Sequence, residues 1–183
     1  MVAALLNAGV DATWKDDKGN TYLQTATNLK DVLIVQALLI ETSVQDLQHK
    51  LQHINNNSEN VLHIAARTGD ATLVDILMTH LLKPEFTETL KKMLNQKNTS
   101  NGDTPLHIAS RGKGAEPANL AIVKKLVEAG ASLNLRTKAV GKKPTTATYV
   151  AEFNITKKPA GAAQDQQRAV WNYLKGLPHS STR

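Results

Sequence analysis

Apolar residues recur along the 183-residue chain in short blocks whose spacing fits helices rather than strands. Three blocks share one pattern: Ile34-Val35-x-x-Leu38-Leu39, Leu73-Val74-x-x-Leu77-Met78 and Ile122-Val123-x-x-Leu126-Val127. Each follows an element of a second kind. These are Gly19-Asn20-Thr21-Tyr22-Leu23-Gln24-Thr25-Ala26, Ser58-Glu59-Asn60-Val61-Leu62-His63-Ile64-Ala65 and Gly102-Asp103-Thr104-Pro105-Leu106-His107-Ile108-Ala109. In the last of them Thr104 suits a helix N-cap, its hydroxyl meeting an orphan N–H, and Pro105 suits the first helical position. Leu106 and Ala109 then point to one face, where the small alanine lets a second helix approach closely. A helix pair is therefore predicted for each block. One pair cannot enclose a core, so stacking against neighbouring pairs must supply the burial.

The phase of this self-similarity is irregular. The turn residues Gly19, Ser58, Gly102 and Gly141 stand 39, 44 and 39 positions apart. Two inserts carry helical patterns of their own. Ser43 can cap a segment with Val44, Leu47, Leu51 and Ile54 on roughly one face, and Phe86, Leu90, Met93 and Leu94 follow Pro84 at helical spacing. A third insert, Gly112–Ala118, reads as a loop. At the ends the pattern decays. The chain opens inside a second helix, Val2 to Leu6, as a domain cut from a longer protein or a half-repeat cap would. The last unit keeps Gly141 and Pro144 but replaces the capping Thr with Lys143, and its second helix is expected around Ala169-Val170-Trp171-Asn172-Tyr173-Leu174. That helix is reached through Lys157-Lys158-Pro159-Ala160-Gly161, and the tail after Pro178 is expected to be disordered.

Thr104-Pro105-Leu106-His107-x-Ala109 matches the Thr-Pro-Leu-His-x-Ala signature of the ankyrin repeat. Closing motifs follow as Gly9-Val10-Asp11-Ala12 and Gly130-Ala131-Ser132-Leu133-Asn134. The chain thus resembles the ankyrin-repeat proteins, with units longer than their usual ~33 residues. The resemblance implies an all-α solenoid of helix-turn-helix units with extra short helices in lengthened connections. Its units would be a partial repeat over 1–16, repeats over 17–55, 56–99 and 100–138, a degenerate capping repeat over 139–177 and a tail over 178–183. It also implies that His63 and His107 are structural, bonding their own turn and the neighbouring repeat. Gln24 takes their place in the first full repeat, which a required proton-transfer group would not readily allow.

Composition changes the picture mainly by exclusion. Lys and Arg total 22 against 16 Asp and Glu, a balance of +6, with 21% of residues charged and 41% apolar, as in a folded domain. The absence of cysteine excludes disulfides, thiolate metal sites and a thiol nucleophile. No apolar run approaches the ~20 residues of a membrane span, and the short apolar start lacks a basic region before it. An intracellular, cytoplasmic domain is expected, in the host cytoplasm if the chain is a secreted bacterial effector. The sequons at Asn56, Asn98 and Asn154 then read as coincidence. Residues 1–110 hold 9 basic and 12 acidic side chains, whereas 111–183 hold 13 and 4, so the positive charge gathers at one end.

Candidate chemistry is sparse. His49 and His53 stand four apart on one predicted helix face, but Lys50 occupies the general-base position of a zincin and no third ligand is near in sequence. Gly141-Lys142-Lys143-Pro144-Thr145-Thr146 departs from a phosphate loop, and Pro144 removes a donor such a loop uses. No nucleophilic triad or carboxylate pair can be assembled, so neither catalysis nor a cofactor or metal is expected. The basic C-terminal third has few aromatics for stacking and no nucleic-acid module, which argues against nucleic acid. By resemblance, the function is protein–protein recognition through the concave side by a monomer. The contact residues would be Asn28, Arg67 and Arg111, each nine positions after a turn residue, and the tip residues Asp16, Lys18, Asn56, Asn57, Ser100 and Asn101. Aligned guanidinium groups at Arg67 and Arg111 would favour a partner with an acidic segment. The alternative is a targeting or recruiting domain of a larger enzyme or effector.

Overall fold

A computed structural model of the chain describes residues 14–40, 43–112, 119–138, 144–155 and 160–177. The expectations for Val2–Leu6, Gly9–Ala12, Gly141–Lys143, Lys157–Pro159, the tail after Pro178 and most of the loop after Gly112 lie outside them. Among the described residues every regular element is helical, apart from one isolated bridge between Lys15 and Thr21.

The helices come in pairs. In the first pair α1 (Tyr22–Asn28) is capped by Thr21, whose hydroxyl accepts from the Gln24 N–H, and α2 (Val32–Leu39) is capped by Asp31. The second pair is α4 (Val61–Thr68), capped by Asn60, and α5 (Ala71–Leu81), capped by Asp70. The third is α7 (Pro105–Arg111) and α8 (Leu120–Glu128), and the fourth is α9 (Ala147–Ile155) and α10 (Ala162–Lys175). First helices α1, α4, α7 and α9 stack in sequence order, and the second helices α2, α5, α8 and α10 form a parallel layer behind them. The residues that repeat in the sequence are the ones that fill the space between. Leu23, Leu62 and Leu106 are buried at one equivalent position and Ala26, Ala65 and Ala109 at another, facing Val35, Val74 and Val123 of the second layer. Burial of a leucine side chain contributes ~1.5–3 kcal/mol, so this interlayer seam outweighs any single cap. At the end of α8, Gly130 adopts φ 99° and Ala131 N–H returns to the Leu126 carbonyl, closing the helix as the Gly-Ala motif predicts.

Both helical inserts form, as α3 (Val44–Gln52) and, after a 3-10 turn at Pro84–Phe86, α6 (Thr87–Asn95). They pack on each other, and the side-chain amides of Gln48 and Gln52 both donate to the buried Thr89 hydroxyl. Phe86, Leu90, Met93 and Leu94 are all buried as their spacing predicts. In α3 only Leu47 and Leu51 are. Val44 and Ile54 stay exposed, because Val44 starts the helix and Ile54 lies beyond its end.

The fourth pair corrects the expected register. Its first helix is capped by Thr146, whose hydroxyl accepts from the Tyr149 N–H at 3.4 Å, so the capping threonine is not lost at Lys143 but displaced by three residues. Thr146-Ala147-Thr148-Tyr149-Val150-Ala151 therefore superposes in role on Thr104 to Ala109. Ala147, Val150 and Ala151 are buried accordingly. The buried Gln167 of α10 ties this pair to the third by donating to the carbonyls of Ser110 (2.7 Å) and Ala151 (3.1 Å). The expected second helix at Ala169–Leu174 is present and longer, beginning at Ala162.

Candidate functional site

The turns that precede α1, α4 and α7 share one construction. Asp16, Asn55 and Asn98 each accept two backbone N–H bonds through one side-chain oxygen: from Lys18 and Asn20, from Asn57 and Glu59, and from Asn101 and Asp103. The chain then turns at Gly19, Ser58 and Gly102 with φ between 56° and 74°, which is why glycine is preferred there. Hydrogen bonds also carry the row from hairpin to hairpin. Asn56 N–H donates to Lys18 O, Thr99 N–H to Asn57 O and Lys138 N–H to Asn101 O, at 3.0, 2.8 and 2.7 Å. The tips thus form one edge rather than separate loops.

Behind that edge, α1, α4 and α7 are each fixed by one side chain five positions after the turn residue. His63 Nδ1 accepts from Asn60 N–H, which leaves the ring proton on Nε2 to donate to Asp103 O at 3.2 Å. His107 likewise accepts from Thr104 N–H and bonds Thr145 O at 3.1 Å, with its Nδ1 2.8 Å from the Thr104 hydroxyl. Gln24 does the same work, its Oε1 accepting from Thr21 N–H and its Nε2 donating to Glu59 O at 2.9 Å. Burial pushes His63 down to about 4, with a smaller opposing pull from Glu59, and lowers His107 in the same way. Both rings are neutral and structural at neutral pH.

The nine predicted contact residues divide into three groups. Asn57, Arg67, Ser100, Asn101 and Arg111 line one groove of 290 Å3 between the second and third hairpins and the helices α4 and α7. Asn28 is exposed on α1 at the position equivalent to both arginines, outside that groove. Asp16, Lys18 and Asn56 lie along the hairpin edge, where Asp16 and Asn56 already serve the turns. Asp16 accepts three hydrogen bonds, chiefly from the Asn20 side chain, which hold its carboxyl below the usual range; Asn56 donates its amide to Asp17 O.

Two carboxylates outside the predicted contact set complete the groove. Glu59 and Asp103 each stand immediately before a first-helix cap and are buried. Arg67 pairs with Glu59, and Arg111 is bidentate on Asp103 at 2.7 and 2.9 Å. Burial alone would raise the Asp103 carboxyl, but the Arg111 hydrogen bonds and charge outweigh it and leave the pKa lowered. The guanidinium groups expected to await a partner's carboxylates are thus held by carboxylates of the chain itself. Asn98 extends the network by donating to Glu59 at 3.3 Å, as Asn55 donates to Asn20 one repeat earlier at 2.8 Å. The signal was available: an acid precedes Arg67 and Arg111 by eight residues in both repeats.

His49 and His53 do not form a pair. The helix ends at Gln52, and His53 Nε2 lies 2.8 Å from the carbonyl of Gly19 while His49 faces solvent. Among the described residues no three His, Asp or Glu converge as metal ligands would, and no helix is long and apolar enough to cross a membrane.

A family model described as ankyrin repeats, in three copies, matches residues 42–137, just over half of the chain. No curated protein matches the sequence.

Proposed function

The chain belongs to the ankyrin-repeat family, whose domains are generally protein–protein interaction modules and typically non-catalytic, and from that premise we propose that it is a monomeric, non-enzymatic recognition module binding a protein through its concave groove. The observation that carries this reading is the gathering of Asn57, Arg67, Ser100, Asn101 and Arg111 around one groove from two successive repeats. These side chains come from rigid helices and from hairpin tips locked into a hydrogen-bonded edge, so the surface meets a partner preorganised and little ordering cost opposes binding. Asn28 and the edge residues Asp16, Lys18 and Asn56 extend the contact surface toward the first repeat.

The test is a two-armed capture from a lysate of the organism that encodes the chain. The intact chain is compared with Ser100→Trp, which fills the groove mouth from an exposed tip. Proteins retained by the first and released by the second support the reading. An identical set on both arms, or none on either, would count against it.

A further inference from the structure

Resting on the reading above, the groove also indicates the chemistry of its occupant. Among the described residues, those lining it include two positive and two negative side chains, which balance. Each positive charge is spent internally: the carboxylates of Glu59 and Asp103 are almost wholly buried behind guanidinium groups whose side chains are 39% and 36% exposed. Two unit charges 4 Å apart interact by ~1–4 kcal/mol near a protein surface. A ligand carboxylate approaching Arg111 would gain that attraction but meet an opposing repulsion from Asp103 behind the guanidinium, so its net pull is well below that of an unpaired arginine. What the compensation leaves untouched is geometry. A guanidinium carries five N–H donors and a carboxylate occupies at most two of them, so the arginines still present fixed donors to the groove. Around them Asn57, Ser100 and Asn101 offer exposed side chains that both donate and accept.

We infer that the groove between α4 and α7 takes an uncharged polar segment of the partner, rich in Asn, Gln, Ser or Thr, whose carbonyl and carboxamide groups pair with Arg67, Arg111, Asn57 and Asn101. This replaces recognition of an acidic segment: the arginines serve as positioned donors and not as free charges.

The test selects a random-peptide display library on the full chain and then measures synthetic copies of the enriched peptides. Enriched sequences should be uncharged and polar, and their affinity should change less than about twofold between about 50 and 500 mM salt, because no net charge is screened. Asn57→Ala with Asn101→Ala, both at exposed positions, should weaken binding about tenfold. Asp103→Asn, checked for folding by circular dichroism, leaves Arg111 uncompensated and should shift selection toward acidic peptides with steep salt dependence. Acidic peptides enriched on the unaltered chain, salt-sensitive and lost in the double variant, would overturn the inference while leaving the groove as the binding surface. Peptides indifferent to the double variant would remove the groove itself. No enrichment at all would overturn the polar-segment inference and leave the groove to a folded partner.

Discussion

The Nε2–H of His63 donates to the carbonyl oxygen of Asp103, 40 residues further along, across 3.2 Å. It therefore ties one repeat to the residue whose carboxylate holds Arg111 in the next. Because the same ring also accepts from the N–H of its own N-cap, one side chain sets both the start of α4 and the spacing of the repeats. Gln24 shows that the imidazole itself is dispensable. His63→Gln should accordingly cost under about 1 kcal/mol, while His63→Ala, which strands a buried N–H and a buried carbonyl, should cost ~1–3 kcal/mol. Urea unfolding of the two variants checks this; equal losses would show that shape alone matters.

Acid should loosen the stack before it reaches the carboxylates. Burial lowers the His63 pKa from the ordinary imidazole value of 6.5 to about 4 on folding, so the unfolded chain binds the proton more readily than the folded one. Stability from His63 is complete above pH 6.5 and is lost as pH falls through the window down to about 4, in total on the order of 3 kcal/mol. His107 acts in the same direction. Asp103, whose pKa is also lowered, adds its loss below the ordinary carboxylate range. Chemical denaturation at pH 7 and pH 5 should show the decline, and His63→Gln should flatten it.

The turn residues differ in what a side chain would meet. A Cβ on Gly102 would lie 2.7 Å from the Lys138 backbone nitrogen, the atom that bonds Asn101 across the hairpin edge, whereas at Gly69 nothing stands within 4 Å. Both have φ near 70°, so both alanine variants bear the left-handed cost of ~1–2 kcal/mol, and Gly102→Ala should lose clearly more by prising the edge apart. Ser58 already bears that cost at φ 56°, and Ser58→Gly should gain about 0.5–1 kcal/mol. Thermal midpoints in the order Ser58→Gly, unaltered chain, Gly69→Ala, Gly102→Ala express the expectation.

Most of the fold was legible because each repeated block carries the same cap, leucine and alanine, and periodicity survives the inserts. The last repeat misled because Gly141 and Pro144 look like turn landmarks. The hydrogen bonds instead run from Thr137 N–H to Thr145 O and from Tyr149 N–H to Thr146, in a hairpin longer than those closed by Asn98 with Asp103 or Asn55 with Glu59. Landmark residues report a turn; they do not report how many residues it contains. The groove was legible as a location, since equal offsets place Arg67 and Arg111 on equivalent faces. Its electrostatics was not, because the compensating acids sit before the helix caps, outside any helical spacing that would have paired them.

The same pairing decides how arginine substitutions are to be read. Asp103 is 1% exposed and Arg111 answers it with two hydrogen bonds, so Arg111→Ala strands a carboxylate beside the inter-repeat tie from His63. Breaking a fully buried pair costs ~3–5 kcal/mol, and the exposed flank of Arg111 reduces that here to about 1–3 kcal/mol. Asp103→Asn with Arg111→Ala removes the stranded charge and should recover more than half of the loss, which a double-mutant cycle in urea measures directly. A surface arginine serving only a partner would give the opposite pattern: no cost for Arg111→Ala and no recovery. Binding lost in Arg111→Ala but restored in the double variant would trace the defect to a distorted groove. Binding lost in both, with stability recovered, would assign the lost contact to the guanidinium itself.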